Sequence, residues 1–232
     1  MKTQTIEQIL SAKTSKIPTA LITELETGTQ SIFQNDEIED DLAFPEDFIS
    51  TIKNALARDK STSTENQNKR YFIQVFNPPK RMIIIGAVHI SQALAPIAKI
   101  SGFDVTIVDP RTAWASAERF PDTKIDTSWP DEAIIDLNID SRTAVVALTH
   151  DPKLDDPALE YAIKSQAFYI GALGSRKTHE KRVVRLTDSG CSKDEIDRIN
   201  APIGMDIGAL SPAEIAISIM AQITLALNGP KN

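Results

Sequence analysis

Residues 81–109, RMIIIGAVHISQALAPIAKISGFDVTIVD, restrict the chain to a narrow set of architectures. Residues 82–85 are an unbroken apolar run, of the length and character of a strand buried on both faces. Gly86 ends it. From Ile90 the period changes. Ile90, Leu94, Ile97, Ala98 and Ile100 recur at helical spacing, and Ser101-Gly102 reads as a helix stop. Residues 104–108 make a second apolar strand that ends on Asp109. Strand, glycine turn, helix and strand within about thirty residues form a βαβ unit. The expected class is therefore α/β, with a Rossmann-like, mostly parallel sheet flanked by helices.

The dinucleotide fingerprint inside this unit is incomplete. A G-x-G-x-x-G loop needs its second glycine for close approach to a pyrophosphate and its third for helix–strand packing. Gly86, Val88 and Ser91 occupy the three places, so only the first is kept. Val88 is β-branched and resists positive φ. Asp109 stands where a ribose hydroxyl would find a carboxylate. NAD(P) binding of the usual kind is disfavoured by these substitutions.

Composition narrows the partners. The chain has 232 residues and a net charge of −7, with a pI near 5.1. An acidic chain is a poor match for nucleic acid, whose phosphates need a basic field. No apolar run reaches membrane-spanning length, and MKTQTIEQIL lacks a signal-peptide core, so a cytoplasmic setting without membrane attachment is expected. The single cysteine, Cys191, excludes an internal disulfide and a cysteine-cluster metal site.

Residues 1–80 read as a small N-terminal α+β unit, and residues 81–232 as the Rossmann-like domain. In the first unit, residues 5–12 suggest a helix, residues 18–25 and 30–34 a hairpin, and residues 45–58 a second helix. Residues 35–41 read as an acidic loop. STSTENQNKR, with no apolar residue, reads as mobile. Residues 71–76 are a strand, and Asn77-Pro78-Pro79-Lys80 a stiff linker. In the second unit, a short helix is expected through Glu118, another from Trp129 to Leu137, and a strand at residues 143–148. A helix starting at Asp156-Pro157, a strand at residues 167–170 and a basic helix to Thr187 follow. Ser192 with Glu195, and Ser211 with Glu214, have the spacing of capping boxes.

Ligands of an open parallel sheet bind at the carboxyl ends of its strands. Four such ends carry Gly86–His89, Asp109–Arg111, Thr149–Asp151 and Gly171–Arg176, and the first, third and fourth should meet in one crevice. His89 and His150, two of the three histidines, both fall there. With Asp151 they are too few to define a metal site. GALGSRKT approaches a P-loop, but Arg176 replaces the required second glycine and would fill the phosphate cradle. A simpler reading is an anion site, with the backbone of Gly171, Gly174 and Ser175 at a helix N-terminus beside Arg176 and Lys177. Lys181, Arg182 and Arg185 read as a solvated helix face. In PIGMDIGA, Gly204 and Gly208 bracket Asp206.

The series GAVHISQALAPIAKISGFDVTIVDPR, ERFPD, LTHDPKLDDPAL, YIGALGSRKTHEKR, API, GMDIGA and SPAEIAISI resembles the Rossmann-like domain of the XdhC/CoxI family, over roughly residues 81–227. The resemblance implies a maturation factor for molybdenum hydroxylases such as xanthine dehydrogenase. Such a chaperone binds the molybdenum cofactor (its molybdopterin form), helps present it for sulfuration and passes it to the apo-hydroxylase, without turnover of its own. It also implies a cysteine desulfurase as a second partner, and a homodimer is the commonest oligomer. Carried over by position, the cofactor-binding candidates are Gly86, His89, Asp109, His150, Asp151, Gly171, Gly174, Ser175, Arg176 and Asp206; no catalytic or metal-ligating residue is assigned. The chain departs from the family in having GAVHIS for GAGHVG and no Gly-Gly-Cys segment in residues 1–80. Two other readings stay open: an NAD(P)-binding oxidoreductase on this fold, and a scaffold that docks the hydroxylase without binding a ligand.

Overall fold

The computed structural model describes residues 3–38 and 44–229. The chain divides into two units, Met1–Pro78 and Pro79–Asn232.

The first unit contains α1 (Thr3–Thr14), β1 (Thr19–Glu24), β2 (Gln30–Gln34), β3 (Glu37–Ile38), α2 (Glu46–Ala57), β4 (Thr62–Asn66) and β5 (Lys69–Phe76). The strands form an antiparallel sheet in the order β3-β2-β1-β5-β4. Ala20, Ile22, Phe33 and Ile73 of the sheet meet Phe48, Ile52 and Ala55 of α2. The segment expected to be mobile is instead β4, the turn and the start of β5. Gln67 and Asn68 have φ of 50° and 58°, the double left-handed step of a two-residue hairpin turn, and Asn66 pairs with Lys69. An edge strand paired on one side needs no apolar face, and polar residues there deter edge-to-edge aggregation. The acidic segment is likewise not all loop: Asn35 and Asp36 turn the chain at positive φ into β3. Residues 39–41 of that segment lie outside the described residues.

The second unit runs β6 (Lys80–Ile85), α3 (His89–Ile100), β7 (Phe103–Val108), β8 (Lys124–Asp126), α4 (Pro130–Asp136), β9 (Thr143–Ala147) and α5 (Pro152–Lys164). It continues with β10 (Tyr169–Ala172), α6 (Arg176–Asp188), α7 (Lys193–Ile196), β11 (Ile199–Asn200) and α8 (Pro212–Asn228). All strand pairs are parallel, in the order β11-β10-β9-β6-β7-β8. The order reverses between β6 and β9, which is the switch point where a ligand crevice opens. Both faces are covered. Met82 and Ile84 of β6 join Leu94 of α3 and Ile219 of α8 in one core, while Ile83 and Ile85 join Ile134 of α4 and Leu159 of α5 in the other. This is why the β6 sequence is continuously apolar rather than alternating.

Two local expectations are corrected. Residues 112–118 are turns, not a helix: the Trp114 carbonyl, which a helix would offer to residue 118, accepts from Arg119 Nη1 at 2.8 Å. Helix α5 begins at Pro152, because Asp151 caps it by accepting from the Lys153 N–H at 3.0 Å, and Pro157 lies inside it. Strands β8 and β11, of three and two residues, are too short to leave an apolar pattern.

Both capping boxes form. In α8 the Ser211 Oγ accepts from Glu214 N at 3.3 Å while the Glu214 carboxylate accepts from Ser211 N at 2.8 Å. Ser211→Ala is expected to lower stability by about 1 kcal/mol. In urea unfolding this shows as a lower midpoint with an unchanged slope. No helix among the described residues is long and apolar enough to cross a membrane.

Candidate functional site

The turn after β6 is set by contact with a second loop. Gly86 has φ +108°, and a Cβ there would fall 2.6 Å from Thr149 Cγ2, so the β6 and β9 loops touch at this point. Only glycine suits both the angle and the approach. Buried Ser91 donates to the Gly86 carbonyl at 2.5 Å. Its hydroxyl, not a third glycine, fixes the start of α3 against the strand.

Asp109, fully buried, clasps the same turn. Its Oδ2 accepts from Ala87 N and Arg111 Nη2, both at 2.7 Å, and its Oδ1 from Arg111 N and Nε, both at 2.9 Å. Burial alone would raise its pKa, but the Arg111 guanidinium and the Ala87 and Arg111 amides outweigh it and hold the carboxyl below its ordinary value. A carboxylate has about four lone-pair sites. All are used within the protein, so Asp109 ties β6 to β7 and has no acceptor left for a ribose.

Beside this clasp lies a rim that the motif reading missed. His89 is exposed, with Nδ1 3.2 Å from Gln92 Oε1. Gln92 Oε1 also accepts from Arg119 Nη2 at 2.9 Å, and Arg119 Nη1 donates to the Ala87 and Trp114 carbonyls. The Trp114 ring has the Arg111 and Arg119 guanidiniums 5.5 and 5.3 Å from its centroid. Arg119 is the arginine of the ERFPD stretch.

The loop after β9 is shaped by Asp155, 1 % exposed. It accepts from Thr149 Oγ1 at 2.7 Å, Thr149 N at 3.2 Å and His150 N at 3.1 Å. Burial raises the Asp155 carboxyl pKa, against the lowering pull of Thr149, Arg182 and His150. His150 itself sits at φ 63° and is exposed. After β10, Gly174 takes φ +136°, and Ser175 caps α6 by accepting from Thr178 N at 3.2 Å. Between these two loops lies a cavity of about 260 Å³, whose wall includes His150, Asp155, Ser175, Lys177, Lys181 and Arg182.

The structure thus joins Gly86 to the Thr149-His150-Asp151 loop, and His150 to Ser175 across the cavity. Asp109 holds the turn after Gly86 through the Ala87 amide. His89 turns to Gln92 instead, and Arg176 is exposed and outside the cavity wall. Gly171 serves packing, since a Cβ there would lie 2.5 Å from Ile203 Cδ1. Asp206 is exposed on the loop that leads from Ile203, bonded to Ala172 O, toward α8. Arg182, expected on a solvated face, is 2 % exposed.

A model of the XdhC Rossmann domain matches residues 82–223. The chain belongs to the XdhC Rossmann-domain family. The fold assignment agrees with a crystal structure described as a xanthine dehydrogenase from Bacillus halodurans, at a TM-score of 0.72 and 23% identity, covering 99% of this chain and 65% of that one. Among curated proteins, this XdhC-family chain is 34% identical over 148 residues to the molybdenum cofactor insertion chaperone PaoD of Escherichia coli (strain K12), covering 64% of this chain and 40% of PaoD. It is 31% identical over 159 residues to a probable xanthine dehydrogenase subunit of Bacillus subtilis (strain 168), covering 68% and 46%. The chain spans less than half the length of either curated relative.

Proposed function

We propose that this XdhC-family chain binds the molybdenum cofactor and passes it, sulfurated, to an apo molybdenum hydroxylase of the xanthine dehydrogenase type. It acts as a chaperone and not as a catalyst. The supporting observation is the similarity to PaoD, together with a match to the XdhC Rossmann domain over residues 82–223, the part that builds the crevice. The three converging loops suit such a cargo. Hydrogen-bonding groups of the His150 and Asp151 loop would meet a pterin edge, and Ser175 with the exposed Arg176 would meet its anionic group. Gly86, Asp109, Gly171 and Gly174 shape the loops, while His89 and Asp206 would contact the cargo from outside the cavity. A cysteine desulfurase as second partner, a homodimer and a cytoplasmic setting belong to the same proposal.

The test is co-expression with molybdenum-cofactor synthesis, followed by mass analysis of the purified chain. A copurifying molybdopterin species is the expected result. Its absence from folded protein, with no transfer activity toward an apo-hydroxylase, overturns the reading. Arg176→Ala, at an exposed position, is expected to change stability by no more than about 0.5 kcal/mol and to reduce the cofactor retained. Full retention in the folded variant removes Arg176 from the site.

A further inference from the structure

Helix α6 carries three kinds of basic residue. Arg185 is committed: its Nη2 donates to Asp156 Oδ1 at 3.1 Å and its Nε to Asp156 Oδ2 at 2.5 Å. Lys177 and Lys181 are exposed and have no ion-pair or hydrogen-bond partner among the described residues. Arg182 is the unusual one. Its guanidinium is 2 % exposed, and its only hydrogen bond among the described residues is from Nη2 to the Leu173 carbonyl at 3.0 Å. The nearest carboxylate oxygens, on Asp155 and Asp156, are 3.9 Å away, beyond hydrogen-bond range. Both Nε and Nη1 are buried without an acceptor.

A buried guanidinium with two idle nitrogens is a costly arrangement unless something completes it. The two carboxylates do not. Asp156 is neutralised by Arg185, and Asp155 spends its oxygens on Thr149 and on the His150 amide. With Arg185 and Asp156 paired, the wall of the 260 Å³ cavity keeps Lys177, Lys181 and Arg182 against the single carboxylate of Asp155, an excess of two positive charges. Ser175, Thr178 and the N-terminus of α6, a helix of 13 residues, add hydroxyls and a positive dipole end at the same wall.

We infer that this cavity is a phosphate or diphosphate subsite in which Lys177, Lys181 and Arg182 of α6 hold the anionic group of the cargo, inward of the exposed Arg176. The inference rests on the proposed function only for the organic part of the ligand; the anion can be tested alone. The probes are inorganic phosphate and inorganic pyrophosphate, titrated into the purified chain by calorimetry at low ionic strength. Saturable binding is expected for at least one of them. A preference for pyrophosphate matches a dinucleotide cofactor, and a preference for phosphate matches the mononucleotide form.

Lys177→Gln/Lys181→Gln, at exposed positions, is expected to weaken that binding by about tenfold or more, as loss of charge-assisted contacts does. Arg182→Gln is expected to abolish it. Should Arg182→Gln fail to fold by circular dichroism, the lysine double variant decides. Absence of saturable binding in the wild-type chain, or equal binding in the folded double variant, overturns the inference. The two proposals fail separately. Pyrophosphate binding by a chain that never copurifies a pterin keeps the subsite and removes the chaperone reading. A copurified pterin, retained equally by the double variant and not displaced by pyrophosphate, does the reverse.

Discussion

Asp109→Ala is expected to cost about 3 kcal/mol, the low end of the range for breaking a buried ion pair because Arg111 stays partly solvated. The loss has named parts. The carboxylate is completely buried and takes four hydrogen bonds, from Ala87 N and from three nitrogens of Arg111. Removing it leaves the Ala87 amide unpaired in a buried turn and the Arg111 guanidinium without its counter-charge. Against a domain stability of about 5–15 kcal/mol, such a loss is large. Equilibrium urea unfolding measures it, and a cost below about 1 kcal/mol would show that solvent replaces the clasp.

The same residue sets a pH dependence with a definite sign. The Asp109 pKa is lowered in the fold. Its stabilisation is therefore present above the ordinary aspartate value and is lost as pH falls through the folded value. Wild type and Asp109→Ala should differ most near neutrality and converge in acid. Asp155 acts oppositely: burial raises its pKa, so its contribution is greatest below the ordinary value and fades as pH rises through the folded one. Asp155→Asn keeps an acceptor for Thr149 and removes the buried charge. Its cost relative to wild type should shrink between acid and neutral pH.

What could be read in the sequence follows from how strongly each feature constrains the chain. The β6 run had to be a central strand because four consecutive apolar residues are stable only between two covered faces. Ser192 with Glu195 and Ser211 with Glu214 fixed two helix starts through local hydrogen bonds that do not depend on tertiary structure. Strand β4 was illegible because a polar edge strand and a disordered segment share a composition. Asp109 is legible as a carboxylate at a strand end, but its bonds to Arg111 and Ala87 are not, because they depend on Arg111 folding back onto it and on the β6 turn reaching it. Arg182 was hidden among like charges. Its one visible mark is the i,i+4 spacing to buried Leu186, which puts it on the inner face of α6.

Gly86→Ala is expected to destabilise the chain by about 3 kcal/mol through two separable effects. The first is the backbone: φ of +108° lies in a region that residues with a Cβ rarely occupy. The second is overlap, since the new methyl would sit 2.6 Å from Thr149 Cγ2 and 3.3 Å from Thr149 N. Thr149 cannot simply rotate away, because its hydroxyl donates to Asp155 at 2.7 Å and accepts from Asp151 N at 2.9 Å. Thr149→Ser removes the obstructing methyl while keeping that hydroxyl. The double variant Gly86→Ala/Thr149→Ser should therefore recover about 1 kcal/mol, the overpacking share, and keep the backbone share. Because this contact holds the β6 loop against the loop that carries His150, the single variant should also retain less cofactor, and the double variant should regain part of it. If Gly86→Ala matched wild type in stability while losing retention, the turn would owe its glycine to ligand approach rather than to Thr149.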